Sequence, residues 1–148
     1  LEGLTKVEAW AGDTVVSVDV AAFSMLPEPF KKYFIALRID HHENRETFSE
    51  NELVEPETAA CGEIIYELLM DLGAEMTKDI AWRLYIAIST DTGCFRYSNT
   101  TGHTHAVAGR MFKAGCDFVM INRAMFEVKS FSRIAIEREV LNTLELYF

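Results

Sequence analysis

Ile39-Asp40-His41-His42 places a carboxylate and two imidazoles directly after the apolar run Phe34-Ile35-Ala36-Leu37, with only Arg38 interrupting. A second apolar run, Thr14-Val15-Val16-Ser17-Val18, ends in Asp19. A third, Ile80 to Ile88, leads to Asp91 inside Thr90-Asp91-Thr92-Gly93. Carboxylates suit Mn2+ and Mg2+ alike, and imidazole is better accepted by Mn2+. Ligands of open α/β sheets collect beyond the carboxyl ends of the strands. Asp19, His41 and Asp91 are therefore expected to converge on one divalent site at the carboxyl edge of a mainly parallel sheet. Two ions about 3.5–4 Å apart can clamp a phosphoryl group and activate the attacking water. Taken singly, Asp19 is as readily a turn or helix cap, and Thr90-Asp91-Thr92-Gly93 as readily a capped turn. Arg96 lies in the polar loop after Asp91, and arginine is the usual bidentate partner of phosphate. His103 and His105 flank a helix start and read as exposed residues. Cys61 and Cys94 read as small buried residues rather than nucleophiles.

The segments that must carry these residues follow from periodicity. Thr14–Val18 and Phe34–Ile39 read as buried strands, rich in β-branched and apolar residues. Ala21–Leu26 reads as a short helix stopped by Pro27 and Pro29. The polar stretch from Glu43 to Glu57 reads as a loop with a short strand at Leu53-Val54. Ile64, Ile65, Leu68, Leu69 and Leu72 recur at helical spacing, and Gly73 supplies a stop. Thr77 can cap the next helix, with Ile80, Leu84 and Ile88 on one face. Thr92–Thr101 reads as a functional loop. Helices are predicted over about Thr104–Ala114, with Val107, Met111 and Phe112 inward, then over Phe118–Val128 and Phe131–Leu146. The fold class expected is a Rossmann-like, three-layer α/β domain with a helix-rich C-terminal half.

The 148 residues and their 49% hydrophobic content suffice for one core. A net charge of −9 argues against a basic track for long duplex nucleic acid, while bound cations can still reverse the sign of a local site for a small anion. Three widely spaced cysteines without a Cys-x-x-Cys pair suggest neither a disulfide framework nor a zinc ribbon, which fits the cytoplasm. No apolar stretch reaches the length of a membrane span, and no signal peptide opens the chain.

Together the motifs are more specific than their parts. The chain resembles the DHH phosphoesterase family through Val18-Asp19, Ile39-Asp40-His41-His42-Glu43-Asn44 and Ala59-Ala60-Cys61-Gly62-Glu63-Ile64-Ile65-Tyr66-Glu67-Leu68. The resemblance continues through Ser89-Thr90-Asp91-Thr92-Gly93-Cys94-Phe95-Arg96-Tyr97-Ser98-Asn99-Thr100-Thr101, Ile121-Asn122 and Met125-Phe126-Glu127. It is greatest to the branch of bacterial nanoRNases, pAp phosphatases and cyclic-dinucleotide-product phosphodiesterases. The resemblance implies that Asp19 bridges two Mn2+ ions, with Mg2+ as a substitute, and that His41 and Asp91 hold the second ion. It implies that His42 faces the substrate phosphate. Asp40 would orient the histidine pair, as metal-bound histidines usually require. Arg96, Asn99 and Thr100 extend this set towards the phosphate of a substrate.

The family's first motif, a His followed by two Asp, has no counterpart here: no His precedes His41, and Asp13 is the only Asp before Asp19. A C-terminal substrate domain is not represented either. Residues 1–128 are thus expected to be part of a catalytic domain and residues 129–148 a linker helix towards a domain outside this chain. The expected activity of the whole protein is metal-dependent, exoribonuclease-like hydrolysis of nanoRNA, linear dinucleotides or pAp-type nucleotides, with little activity in these residues alone. The alternatives are a manganese-dependent inorganic pyrophosphatase, disfavoured because the loop Phe95–Thr101 has no lysine, and an inactive nucleotide- or metal-binding domain. Self-association as a homodimer stays open.

Overall fold

In the computed structural model, residues 14–43 and 46–145 are described. Asn44 of the histidine motif, the first thirteen residues of the expected catalytic domain and the Leu146 end of the last expected helix lie outside them. Three parallel strands form one sheet in the order β1-β2-β3, with β1 at Val15–Val18, β2 at Ile35–Asp40 and β3 at Asn51–Val54. The α/β class and the parallel sheet expected from sequence are both present. β2 is central, pairing Val18 with Ile39 on one side and Asp40 with Val54 on the other. Its alternation decides what each face carries. Leu37 and Ile39 point towards Cys61, Ile64, Ile65 and Leu68 of helix α1 (Cys61–Asp71). Arg38 and Asp40 point to the opposite face and are both wholly buried.

The link from β1 to β2 holds two 3-10 turns, Phe23–Met25 and Glu28–Phe30. The first falls within the predicted short helix. The second starts after Pro27 with Pro29 inside it, where a missing N–H costs nothing because the first turn of a helix leaves that donor unpaired. Helix α2 (Lys78–Asp91) is capped by Thr77, whose hydroxyl accepts from the Ile80 amide at 3.3 Å. Helix α3 (Gly102–Lys113) opens with a reciprocal capping box between Thr101 and Thr104. The short helix α4 (Phe118–Asn122) continues into a π-helical turn, Arg123–Glu127, and α5 spans Phe131–Leu141.

The helical core gathers Leu84, Tyr85, Ile88, Val107, Met111 and Ile121. Of the predicted core, Ile64, Leu84, Ile88, Val107 and Met111 are buried, while Ile65, Leu68 and Leu69 are partly buried against them. Leu72, the last of the residues at helical spacing, is the C-cap of α1 and is 73% exposed. One inward assignment is corrected: Phe112 is 40% exposed, its ring tilted against those of Tyr85 and Phe118 at the rim of the core. No residue of α5 is buried.

Candidate metal and phosphate site

The parallel register brings the ends of β1 and β2 side by side. The Asp19 amide donates to the Ile39 carbonyl at 3.0 Å, so Asp19 is anchored to β2 as the chain leaves β1. Its φ of 59° turns the side chain out of the strand line. Aspartate tolerates this left-handed conformation better than a β-branched residue would. His41 follows the last residue of β2. Asp91 arrives differently from the strand-end placement suggested by its apolar run: Ile80–Ile88 is helical, and Asp91 is the last residue of α2. Three left-handed residues in succession, Gly93, Cys94 and Phe95 at φ 55°, 59° and 62°, then reverse the chain. Amides of Cys94, Arg96 and Tyr97 return to the carbonyls of Ser89 and Thr92, closing the last turn beneath Asp91. Left-handed geometry costs about 1–2 kcal/mol for each residue with a side chain. Such strain is held where the surrounding structure over-determines it.

His41 connects the three elements. Its Nδ1 faces the Thr58 carbonyl at 3.3 Å. A carbonyl only accepts, so this contact requires a proton on Nδ1 and, in the neutral ring, leaves the lone pair on Nε2. Nε2 in turn lies 3.5 Å from Asp19 Oδ1 and 3.6 Å from Asp91 Oδ2. A lone pair facing two carboxylate oxygens calls for a cation or a proton between them. Donor atoms sharing one ion at bonds of about 2.0–2.2 Å lie about 3–4 Å apart, which matches this spacing. The spacing of His41 from each of the two acids thus suits a divalent ion of the Mn2+ or Mg2+ kind. Burial pushes the Asp91 carboxyl above its usual range, and the charge of Asp19 adds to the shift.

Asp19, Asp40, His41 and His42 each offer one ligand atom within 4.8 Å of the others. Asp40 is nevertheless already engaged. Its Oδ2 is 2.6 Å from Arg38 Nη2, and its Oδ1 accepts from His42 Nδ1 at 2.7 Å and from the His41 amide at 2.8 Å. Burial acts to raise its pKa, but the hydrogen bonds from Arg38 and His42 outweigh it, and the carboxyl ends below its usual range. Asp40 is therefore a fixed anion behind the histidines. The His42 ring is half-exposed and lies 4.4 Å, centroid to centroid, from that of His41.

The three expected phosphate contacts are placed unequally. Arg96 is exposed and donates through Nε to the Gly93 carbonyl at 2.6 Å. Asn99 spends its amide nitrogen on the carbonyls of Ala59, at 3.0 Å, and Asp91, at 3.3 Å, bracing the loop against the start of α1. The Thr100 hydroxyl is buried without a partner. A cleft of about 320 Å³ opens beside the acids, lined by Val18, Asp19, Cys61, Ile65, Thr90 and Asp91. Cys61 is no nucleophile there: burial, then the charge of Asp19, pushes its thiol up to about 12. A second cleft of about 490 Å³, between Tyr66, Met70, Arg110 and Lys113, shares no residue with the histidine cluster. Its cations sit in the last turn of α3, where they offset the negative end of the helix.

Two features were not singled out from sequence. Arg38, noted only as an interruption in an apolar run, holds Asp40. Its signal was a charge two residues before the Asp on one strand, which the pleat places on the same face. Glu63 is 1% exposed, with Oε1 unpartnered and Oε2 3.9 Å from His103 Nε2. Burial pushes its carboxyl upwards, offset in part by Thr104 and His103. His103 is exposed, as expected, and also meets Glu67 at 3.3 Å.

No model of a known protein family matches the chain. It is 32% identical over 138 residues to the bifunctional oligoribonuclease and PAP phosphatase NrnA of Thermus thermophilus, covering 93% of this chain and 42% of that protein. It is 28% identical over 96 residues to the protein of the same description from Bacillus subtilis, covering 63% of this chain and 31% of the relative. Among solved structures, an exopolyphosphatase-related protein from Bacteroides fragilis aligns with a TM-score of 0.80 at 24% identity, over 91% of this chain and 42% of the other. That likeness speaks for the fold alone. The chain spans less than half the length of these relatives.

Proposed function

The chain belongs to the DHH phosphoesterase family, and from that premise we propose that it forms the metal- and phosphate-handling part of a manganese-dependent hydrolase of short oligonucleotides or pAp-type nucleotides. One observation carries the proposal: His41, with Nδ1 tied to the Thr58 carbonyl, presents Nε2 to both Asp19 and Asp91. Asp19, His41 and Asp91 would hold an ion, and by the family resemblance Asp19 would also serve a second. Bound there, such ions would lessen the charge repulsion at the phosphoryl group and acidify the attacking water.

The remaining steps belong to side chains of this chain. His42 donates Nδ1–H to Asp40, so its Nε2 is the nitrogen left for a phosphate oxygen or a proton. The Asp40 carboxylate stabilises the positive charge that the ring carries once Nε2 is protonated. Arg96 stands at the exposed lip of the Asp91 loop, suited to a second phosphate oxygen. The acidic balance of the chain supports a small substrate drawn in through cations rather than a long strand lying on a basic track. Three free cysteines support a reducing compartment, which we take to be the cytoplasm. Among the described residues no helix is long and apolar enough to cross a membrane.

The test uses the full-length protein with Mn2+ and three substrates in parallel: a linear dinucleotide, pAp and inorganic pyrophosphate. Hydrolysis of either nucleotide, lost on Asp91→Asn with the melting curve retained, is the expected result. Preference for pyrophosphate would move the protein to the pyrophosphatase reading. Metal binding without hydrolysis of any of the three would leave a binding domain.

A further inference from the structure

We infer that Arg38 is a positioning residue for the histidine pair: it fixes Asp40 so that Asp40 can fix His42. This rests on the phosphoesterase reading for its catalytic consequence, although not for its geometry. Arg38 and Asp40 sit two residues apart on β2, so the pleat sends both to one face, where neither is accessible to solvent. An ion pair with no solvent access is expensive to bury and is a poor means of gaining stability. This one is organised for direction instead. The two oxygens of Asp40 are divided between two tasks, with Oδ2 on Arg38 and Oδ1 on His42 Nδ1 and the His41 amide.

The guanidinium is itself held from several sides. Nη1 donates to the Glu46 carbonyl at 3.0 Å and lies 3.7 Å from Glu52 Oε1. Nη2 donates to the Ala21 carbonyl at 3.2 Å, and the group stands 4.9 Å from the centre of the Phe48 ring. Segments following β1, preceding β3 and within β3 therefore all bear on one planar cation. It holds Oδ2 of Asp40 through Nη2, which leaves Oδ1 as the acceptor for Nδ1 of His42. A lysine would supply the charge without the planar fork. Asp40 would then be free to turn, and Nδ1 of His42 would lose its fixed acceptor.

A residue that only staples the sheet would affect melting and leave His42 unchanged. The experiment compares wild type, Arg38→Lys, Phe48→Ala, Asp40→Asn and the Arg38→Lys/Asp40→Asn double variant in the full-length protein. Long-range 1H–15N spectra of the metal-free protein read the His42 tautomer, and dinucleotide hydrolysis with Mn2+ gives kcat and KM separately. In folded Arg38→Lys, His42 is expected to change from the single Nδ1–H form to a mixture. kcat should fall roughly 10-fold or more, the scale of a misplaced acid–base group. KM should stay within about twofold, because ground-state binding is not what is lost. Adding Arg38→Lys to Asp40→Asn should cost less than about twofold more in kcat, since the route through Asp40 is already cut. A folded Arg38→Lys with a wild-type His42 tautomer and kcat overturns the inference. Should Arg38→Lys fail to melt cooperatively, Phe48→Ala decides: it keeps both charges and loosens the guanidinium, and an unchanged His42 signal there overturns it equally. If no variant or wild type hydrolyses a nucleotide while the His42 tautomer still follows Arg38, the positioning role stands and the phosphoesterase reading fails.

Discussion

His41 and Glu63 show how single side chains in this protein are tuned by what surrounds them. The tautomer of His41 is set by a backbone carbonyl, which no side-chain substitution removes, so the nitrogen it turns towards Asp19 and Asp91 is well protected. Glu63 is the opposite case: a carboxyl driven into the core with one oxygen unpaired. Because burial raises its native pKa, folding favours the protonated form. The sign follows from linkage. The favourable contribution is complete below the unfolded value of 4.5 and is lost as pH rises through the higher folded value. Glu63→Gln carries no ionisable group, so its melting temperature relative to wild type should rise between about pH 4 and about pH 7. Thermal melts across that range check it, and a difference that stays flat or shrinks would contradict the assignment of Glu63 as a strained acid.

At the scale of elements, the site depends on how closely α1 approaches α2. Cys61 and Gly62 begin α1 directly beneath the end of α2 that carries Asp91. A Cβ on Gly62 would meet Ala87 Cβ and Ile88 Cγ1 at 3.1 Å and the Leu84 carbonyl at 3.4 Å. Gly62→Ala should therefore destabilise the chain by about 1–3 kcal/mol through overpacking. Gly109 in α3 offers the control, because a Cβ there meets nothing within 4 Å. Gly109→Ala should stabilise by about 0.5–1 kcal/mol through helix propensity alone. Urea denaturation of both variants reads the contrast, and equal effects would remove the close-approach argument. Much of this arrangement was legible beforehand. β1, β2 and the first three long helices are marked by periodicity and by stops at Gly73 and Gly115, and Asp19 and His41 follow from strand ends. What escaped depends on contacts distant in sequence. Nothing local says that Leu72 is left exposed at the end of α1, that Phe112 stops at the rim, or that Arg38 finds carbonyls at Ala21 and Glu46. The motif marks Asp91, yet the helix that delivers it places it by packing rather than by strand order.

For the molecule as a whole, charge and ligand count together bound what these residues can do. The chain carries −9, and its acids include the very groups that would meet a phosphate. Without cations, a dinucleotide approaching Asp19 and Asp91 is repelled; with them, the local sign reverses. His41 Nε2 lies near a carboxylate oxygen of both Asp19 and Asp91, the trio proposed above to hold one ion, while the family's first motif, the expected source of most ligands for another, has no counterpart in this sequence. The 148-residue chain should accordingly bind about one Mn2+, and weakly, since one ion and three ligands leave half of an octahedral shell to water. It should bind a dinucleotide only when Mn2+ is present and turn it over at a small fraction of the full-length rate, because two ions are needed to clamp both reacting oxygens. Mn2+ titration followed by electron paramagnetic resonance counts the ions, and fluorescence anisotropy of a labelled dinucleotide with and without Mn2+ reads the binding. A labelled duplex of about 30 base pairs in the same assay should remain unbound in either condition, since a chain with a net charge of −9 has little to displace its counterions. Two tight ions per chain, or rapid hydrolysis by these residues that Asp91→Asn abolishes, would show that the first motif's role is filled from within this chain and that the one-ion account is wrong.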